Sequence, residues 1–279
     1  MTPIAPPAWS GRTLPSERSW ADSSWSARVT LGSQHEVTAY QHLGVWLVEV
    51  LQSGPDAVAA LDLTVQLALA ECPLGLVCAL PPDAAADEPL VTALAGLGRH
   101  VARWRATPVV VVWADDAGWA EVAARPGGRH LQRSSSLLHA WSQLRTGGAQ
   151  RTAVLAVTGN ALAARAARAF LTRTCLDWQV PQHLEAGPLV VSELVTNAVQ
   201  HTDGDVDVQL AEHDGRLRVA VRDRGDEPPV TPAVDPHSLS GRGLRIVQTL
   251  AATSGALPAA GGGKVVWAVL DAAGVRIVR

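Results

Sequence analysis

The residues best suited to chemistry sit in the stretch 189–202, LVVSELVTNAVQHT. Glu193, Asn197 and His201 recur every four residues, so on a helix they form one polar stripe. Leu189, Val190, Val191, Leu194, Val195, Ala198 and Val199 then make a broad apolar face on the other side. A stripe that is merely solvated usually carries Lys, Arg and Glu together. This one holds a carboxylate and a carboxamide in register, with no basic residue. Oxygen ligands of this kind suit a hard cation such as Mg²⁺, its shell completed by phosphate oxygens. A surface helix with an incidental Glu/Asn pair is the competing reading of this stretch taken alone.

Downstream features add to the polar stripe. The run 219–225, VAVRDRG, reads as a strand leaving the hairpin turn His213-Asp214-Gly215 and ending at a lone acid before a glycine. Asp223 can accept a hydrogen bond from the exocyclic amine of adenine, and Gly225 lets a base approach the backbone. Gly241-Arg242-Gly243-Leu244 then opens an apolar helix over 244–250. Backbone N–H groups and the positive end of the helix dipole at such a start favour phosphate. Last comes Gly261-Gly262-Gly263-Lys264, followed by a strand over 265–270. A single GxG is weak evidence; the four features in this order are specific.

Together these residues resemble the GHKL ATPase superfamily, in particular the small bacterial anti-sigma-factor serine kinases. The resemblance covers roughly 151 to the C-terminus. Glu193-Leu194-Val195-Thr196-Asn197-Ala198 is similar to the family's N box. Asp223-Arg224-Gly225 is similar to its first Gly box, and Gly241-Arg242-Gly243-Leu244 to its second. The resemblance implies an α/β sandwich that holds ATP and Mg²⁺ between its helices and a short lid. It implies that Glu193 activates the attacking hydroxyl, Asn197 holds Mg²⁺ and Asp223 reads adenine beside Gly225. Gly241, Arg242, Gly243 and Leu244 would bind the nucleotide, the two glycines cradling its phosphates. The implied reaction is Mg-ATP-dependent phosphorylation of a Ser or Thr on a STAS-type antagonist, within partner switching around a sigma factor. The alternative is an ATP-sensing scaffold that holds a sigma factor or STAS partner without phosphorylating it.

The chain departs from the pattern in two places. The first Gly box usually reads D-x-G-x-G; here Glu227 stands at the second glycine, with Pro228 and Pro229 after it. Many members also carry Ser or Thr in the last strand near adenine, where Val265 and Val266 stand here. Both bear on affinity more than on chemistry. A histidine kinase would need a helical hairpin with a phosphoacceptor His before the ATPase domain. His130 and His139 lie in the wrong kind of region for that.

The elements that must position these residues divide the chain in two. Residues 1–36 are rich in Pro, Ser and Trp, without a period, and read as a flexible tail. Trp9, Trp20 and Trp25 there are either docking residues or incidental. From 37 to 147 the pattern is regular: strand 45–51, helix 57–72, strand 74–80, helix 89–105 and strand 108–113. Helix 117–124, a short edge strand at Leu131 and helix 135–144 with a Ser N-cap follow. Strands alternating with helices imply a mixed, mostly parallel sheet. The order resembles the STAS domain of anti-sigma-factor antagonists. By that resemblance Glu88 stands where a phosphorylatable Ser would be, although Asp87, Glu88 and Pro89 are also good helix-start residues. A linker at 146–150 leads to the ATPase-like domain, 151–279. That domain starts with strand 151–157 and helix 161–178, whose Arg165, Arg168 and Arg173 face solvent. Its lid would be the Pro-rich loop 226–240. The expected class is thus a two-domain α/β (α+β) protein.

Composition sets the outer limits. The chain has 279 residues, a net charge of -3 and 47% hydrophobic residues, enough for two cores. Its 23 basic residues are all Arg except Lys264. The charges of 151–279 balance, so no electrostatic footprint for nucleic acid is present. Cys72, Cys78 and Cys175 are odd in number and scattered, which reads as buried reduced thiols in a bacterial cytoplasm. No run approaches the roughly 18 apolar residues of a membrane span, and no secretory h-region opens the chain. A homodimer is compatible with all of this.

Overall fold

A computed structural model describes residues 27–31, 37–51, 54–81, 84, 88–103, 107–146, 150–202, 204–225, 242–259 and 263–271. The chain divides into two compact units: residues 1–69 with 73–147, and residues 148–279 with 70–72. Trp9, Trp20, Trp25, Asp87, Gly241, Gly261, Gly262 and the Pro-rich loop 226–240 lie outside the described residues.

In the first unit a six-stranded sheet runs in sequence order: β1 (Ala27–Leu31), β2 (Val37–His42), β3 (Val45–Val50), β4 (Gly75–Ala79), β5 (Val109–Val112) and β6 (Gln132–Ser134). The first three pair antiparallel, and β3 to β6 pair parallel. Between the parallel strands lie α1 (Pro55–Ala70), α2 (Glu88–Arg103) and α3 (Asp116–Ala124); α4 (Leu137–Thr146) follows β6. Right-handed crossovers that always step in the same direction put every connecting helix on one face. Leu61, Val91, Leu94 and Val122 of those helices accordingly pack on Leu76, Cys78, Val109 and Val111. The alternate residues Val77, Ala79, Val110 and Val112 turn to the other face, where Ala140 and Leu144 of α4 cover them. Four consecutive valines are therefore all buried, as in a parallel sheet with helices on both sides.

Several expectations are corrected in this unit. Residues 27–31, assigned by composition to the tail, form β1 and pair with β2. Helix α1 ends at Ala70, and Cys72 lies beyond it with a left-handed φ of 51°. Leu131 precedes the edge strand β6 rather than belonging to it. The cap of α4 is Ser136, whose Oγ accepts the His139 N–H at 3.2 Å. All three cysteines are free and buried; burial pushes the Cys175 thiol up to about 11.

The second unit is an α/β sandwich. Its five-stranded antiparallel sheet contains β7 (Arg151–Val157), β8 (Val206–His213), β9 (Arg216–Asp223), β10 (Thr253–Pro258) and β11 (Lys264–Leu270), in the order β10-β11-β9-β8-β7. The β8–β9 hairpin turns at Asp214-Gly215, both with left-handed φ (51° and 76°), which matches the twist of the strands it joins. One face carries α5 (Ala163–Asp177), α6 (Gly187–His201) and α7 (Arg242–Leu250). Val190, Val191, Leu194, Val195 and Ala198 of α6 are buried against Val208 and Leu210 of β8, Val219 and Val221 of β9, and Ala268 of β11. Helix α6 also packs against both α5 and α7, so it is the centre of the helical layer.

Candidate functional site

The apolar stripe of α6 fixes where its polar residues go. With Val190, Val191, Leu194, Val195 and Ala198 pointing into the core, Glu193 and Asn197 fall at the margin of the buried face, each half-buried, and His201 at the exposed end. Among the described residues neither Glu193 nor Asn197 has a hydrogen-bond or ion-pair partner. A half-buried carboxylate and carboxamide, four residues apart, form a set of oxygen acceptors on one helix face.

The start of α7 meets this stripe. A Cβ added at Gly243 would meet the carboxylate at the end of the Glu193 side chain, which would have to swing aside, so the two residues lie in direct contact. The N box and the second Gly box, 50 residues apart by their numbering, are thus in contact. Arg242 is the first residue of α7, and Leu244 packs against the core below it, so Leu244 acts through the helix seating. Beside Glu193, Ser192 donates to the Pro188 carbonyl at 2.6 Å and accepts from Arg168 of α5 at 3.0 Å. Arg165, Arg168 and Arg173 are exposed, as their spacing implies.

A second polar group sits at the end of β9. Asp223 is 1% exposed, although it is the last residue of its strand. Its Oδ1 accepts the Gly225 N–H at 3.3 Å, and its Oδ2 lies 3.2 Å from Lys264 Nζ. Lys264 is the first residue of β11 and the direct ladder partner of Asp223. Sequence reasoning named Val265 and Val266 in this strand and did not single out the lysine before them. The register pairs the two valines with Arg222 and Val221 and puts Lys264 across from Asp223. The sequence does carry that signal: one antiparallel strand ends at the acid and the next begins at the lysine. Gly263 makes the approach possible. It has φ +80°, and a Cβ there would strike the Asp223 carbonyl and the Arg224 backbone. The close approach that Gly225 permits is to the His201 carbonyl at the end of α6.

The start of α2 in the first unit is a third polar cluster. Glu88 Oε2 pairs with Arg125 at 2.6 Å, Glu88 Oε1 accepts from Thr92 Oγ at 3.1 Å, and Arg125 also donates to Thr92 Oγ at 3.0 Å. The Arg125 hydrogen bond, then the one from Thr92, holds the exposed Glu88 carboxyl below its ordinary range.

These residues suit a nucleotide with Mg²⁺ rather than a metal caged by protein alone. Among the described residues no group of three or more His, Cys, Asp or Glu side chains converges. Mg²⁺ tolerates one or two protein ligands when phosphate and water complete its octahedron. The glycine-lined contact at Gly243 and the unpaired Asn197 are compatible with that arrangement. No helix among the described residues is long and apolar enough to cross a membrane.

Residues 157–270 match the family model of the histidine kinase-like ATPase domain. The match runs from the last residue of β7 to the last residue of β11 and takes in α5, α6 and α7. It supports a GHKL-type C-terminal domain with an ATP-binding regulatory function. No curated protein matches the chain.

Proposed function

We propose that the second unit binds Mg-ATP and transfers its γ-phosphoryl group to a Ser or Thr hydroxyl of a STAS-type antagonist protein. The observation that carries this reading is the meeting of Glu193 with Gly243. It joins a free carboxylate to the backbone of a helix start suited to phosphate.

In this reading Asn197 would hold Mg²⁺, which when bound would supply neutralisation of charge developing on the phosphoryl oxygens. Gly241, Arg242 and Gly243 hold the phosphates, Asp223 and Gly225 take the base, and Leu244 seats α7. Glu193 accepts the proton of the attacking hydroxyl as the new O–P bond forms and the β–γ bridging bond breaks, with ADP leaving. Positioning and electrostatic stabilisation supply most of the catalysis in such transfers. The first unit is a STAS-like domain that regulates or docks, and a sigma factor is a further partner.

A specific observation favours a second reading. Both Asp223 oxygens already have internal partners, and Glu227 replaces a glycine of the first Gly box. Weakened base binding fits an ATP-sensing scaffold that holds its partner without phosphorylating it. ATP turnover with and without candidate STAS proteins separates the two. Phosphate on the partner's hydroxyl supports the kinase; nucleotide binding without transfer to any partner supports the scaffold.

A further inference from the structure

Lys264 is the chain's only lysine, and it is 7% exposed. Its ammonium lies within ion-pair distance of Asp223 Oδ2 but, among the described residues, donates no aligned hydrogen bond. A buried ammonium has three N–H donors and is costly to leave unsatisfied. Asp223 answers its charge, yet Oδ1 of that carboxylate is turned toward the Gly225 N–H. Spare donor capacity therefore sits directly beside an acceptor, in a buried place. The placement is rigid, because the ladder pairs the two residues and Gly263 presses the start of β11 onto the end of β9.

A carboxylate alone suits adenine, whose exocyclic amine donates. In the pose that sets adenine's amine on the carboxylate, guanine would bring its O6 against that negative oxygen and be repelled. An ammonium next to the carboxylate changes this. Guanine O6 then receives a charge-assisted hydrogen bond while guanine N1–H donates to the carboxylate. Adenine still fits in the other sense, with its amine on the carboxylate and its N1 on the ammonium. Resting on the reading of Asp223 as the base-binding acid, we propose that Lys264 is a base-reading residue that admits guanine nucleotides alongside adenine nucleotides.

Calorimetry of the full chain with Mg-ADP and Mg-GDP tests this. The wild type should bind the two with dissociation constants within about tenfold of each other. Lys264→Thr keeps a strand-forming residue but removes the cation, and it should weaken GDP relative to ADP by about tenfold or more. A wild type that binds ADP some 100-fold tighter than GDP overturns the proposal and leaves the nucleotide site standing. Equal changes for both nucleotides in Lys264→Thr also overturn it, since Lys264 would then be a plug and not a reader. If neither nucleotide binds the wild type, the nucleotide-site reading falls and this inference falls with it. The wild-type ratio decides the matter even if Lys264→Thr does not fold.

Discussion

Glu193 is a carboxylate held at the edge of a core and, among the described residues, without a partner; a general base needs such a free carboxylate. Glu193→Gln preserves shape and removes the charge. It should leave Mg-nucleotide binding within a few-fold of wild type and lower phosphoryl transfer by about 10²-fold or more. Transfer at the wild-type rate would remove Glu193 from the mechanism. Asn197→Ala tests the other half of the pair. Its loss should appear as weaker ATP binding when Mg²⁺ is present and little change when the metal is chelated, measured by calorimetry in both conditions. Gly243 gives a test in which two effects oppose each other. Alanine is favoured over glycine in a helix by up to about 1 kcal/mol, yet here its methyl group would push the Glu193 carboxylate out of the place it holds beside the helix start. Gly243→Ala should therefore lose nucleotide binding without the rise in melting temperature that propensity alone would give. Normal binding at a raised melting temperature would show that the contact is not part of the site.

The elements that carry these residues differ in how openly the sequence announces them. Helix α6 is legible because its core face repeats at 3.6 residues and its polar stripe at four. The β8–β9 hairpin is legible because Asp214-Gly215 is a local turn signal. The pairing of β1 with β2 is not, because 27–31 is short and sits in a Ser- and Trp-rich context, and only the partner strand selects its conformation. The Asp223–Lys264 ladder pair is missed because β9 and β11 are not consecutive, so the register that sets the end of one against the start of the other is tertiary. His183 offers a prediction at this scale. Its ring sits in the 3₁₀ turn Pro181–His183, fully buried, and Nε2 donates to the Gly215 carbonyl at the hairpin tip at 2.9 Å. Burial lowers its proton affinity, against smaller opposing effects of that carbonyl, Glu212 and Asp271. The folded state therefore binds this proton less tightly than the unfolded chain. The stability that follows is complete above the ordinary imidazole pKa of about 6.5 and falls as pH drops through it. Urea unfolding at pH 7.5 and 5.5 should show that loss, with a slope of at most about 1.4 kcal/mol per pH unit from this group. His183→Gln should flatten the difference. An unchanged pH dependence in that variant would assign the effect to other groups.

On the proposed reading a kinase unit and a STAS-like unit share one chain, which raises the question of self-modification. A short linker gives a tethered pair an effective concentration of order mM, provided the two sites can meet. A free hydroxyl at the start of α2 would then be consumed by its neighbour. The chain has Glu88 at that position, and the nearest hydroxyl, Thr92, is engaged. It donates to Glu88 Oε1 and accepts from Arg125. A nucleophile whose proton is committed to one carboxylate cannot easily give it to another, and Arg125 draws charge from its oxygen. After incubation with Mg-ATP under conditions where the chain turns ATP over, mass spectrometry should find no phosphate on 88–95. Glu88→Ser frees Arg125 and supplies a hydroxyl at the helix start, where dipole and guanidinium both favour a phosphate. That variant should acquire phosphate at position 88 while the wild type does not. Stoichiometric phosphate on Thr92 of the wild type would overturn this and make the first unit a substrate of the second. Absence of phosphate in both, in a chain that modifies a separate STAS protein, would mean that the first unit never presents α2 to the active site, so its role is docking.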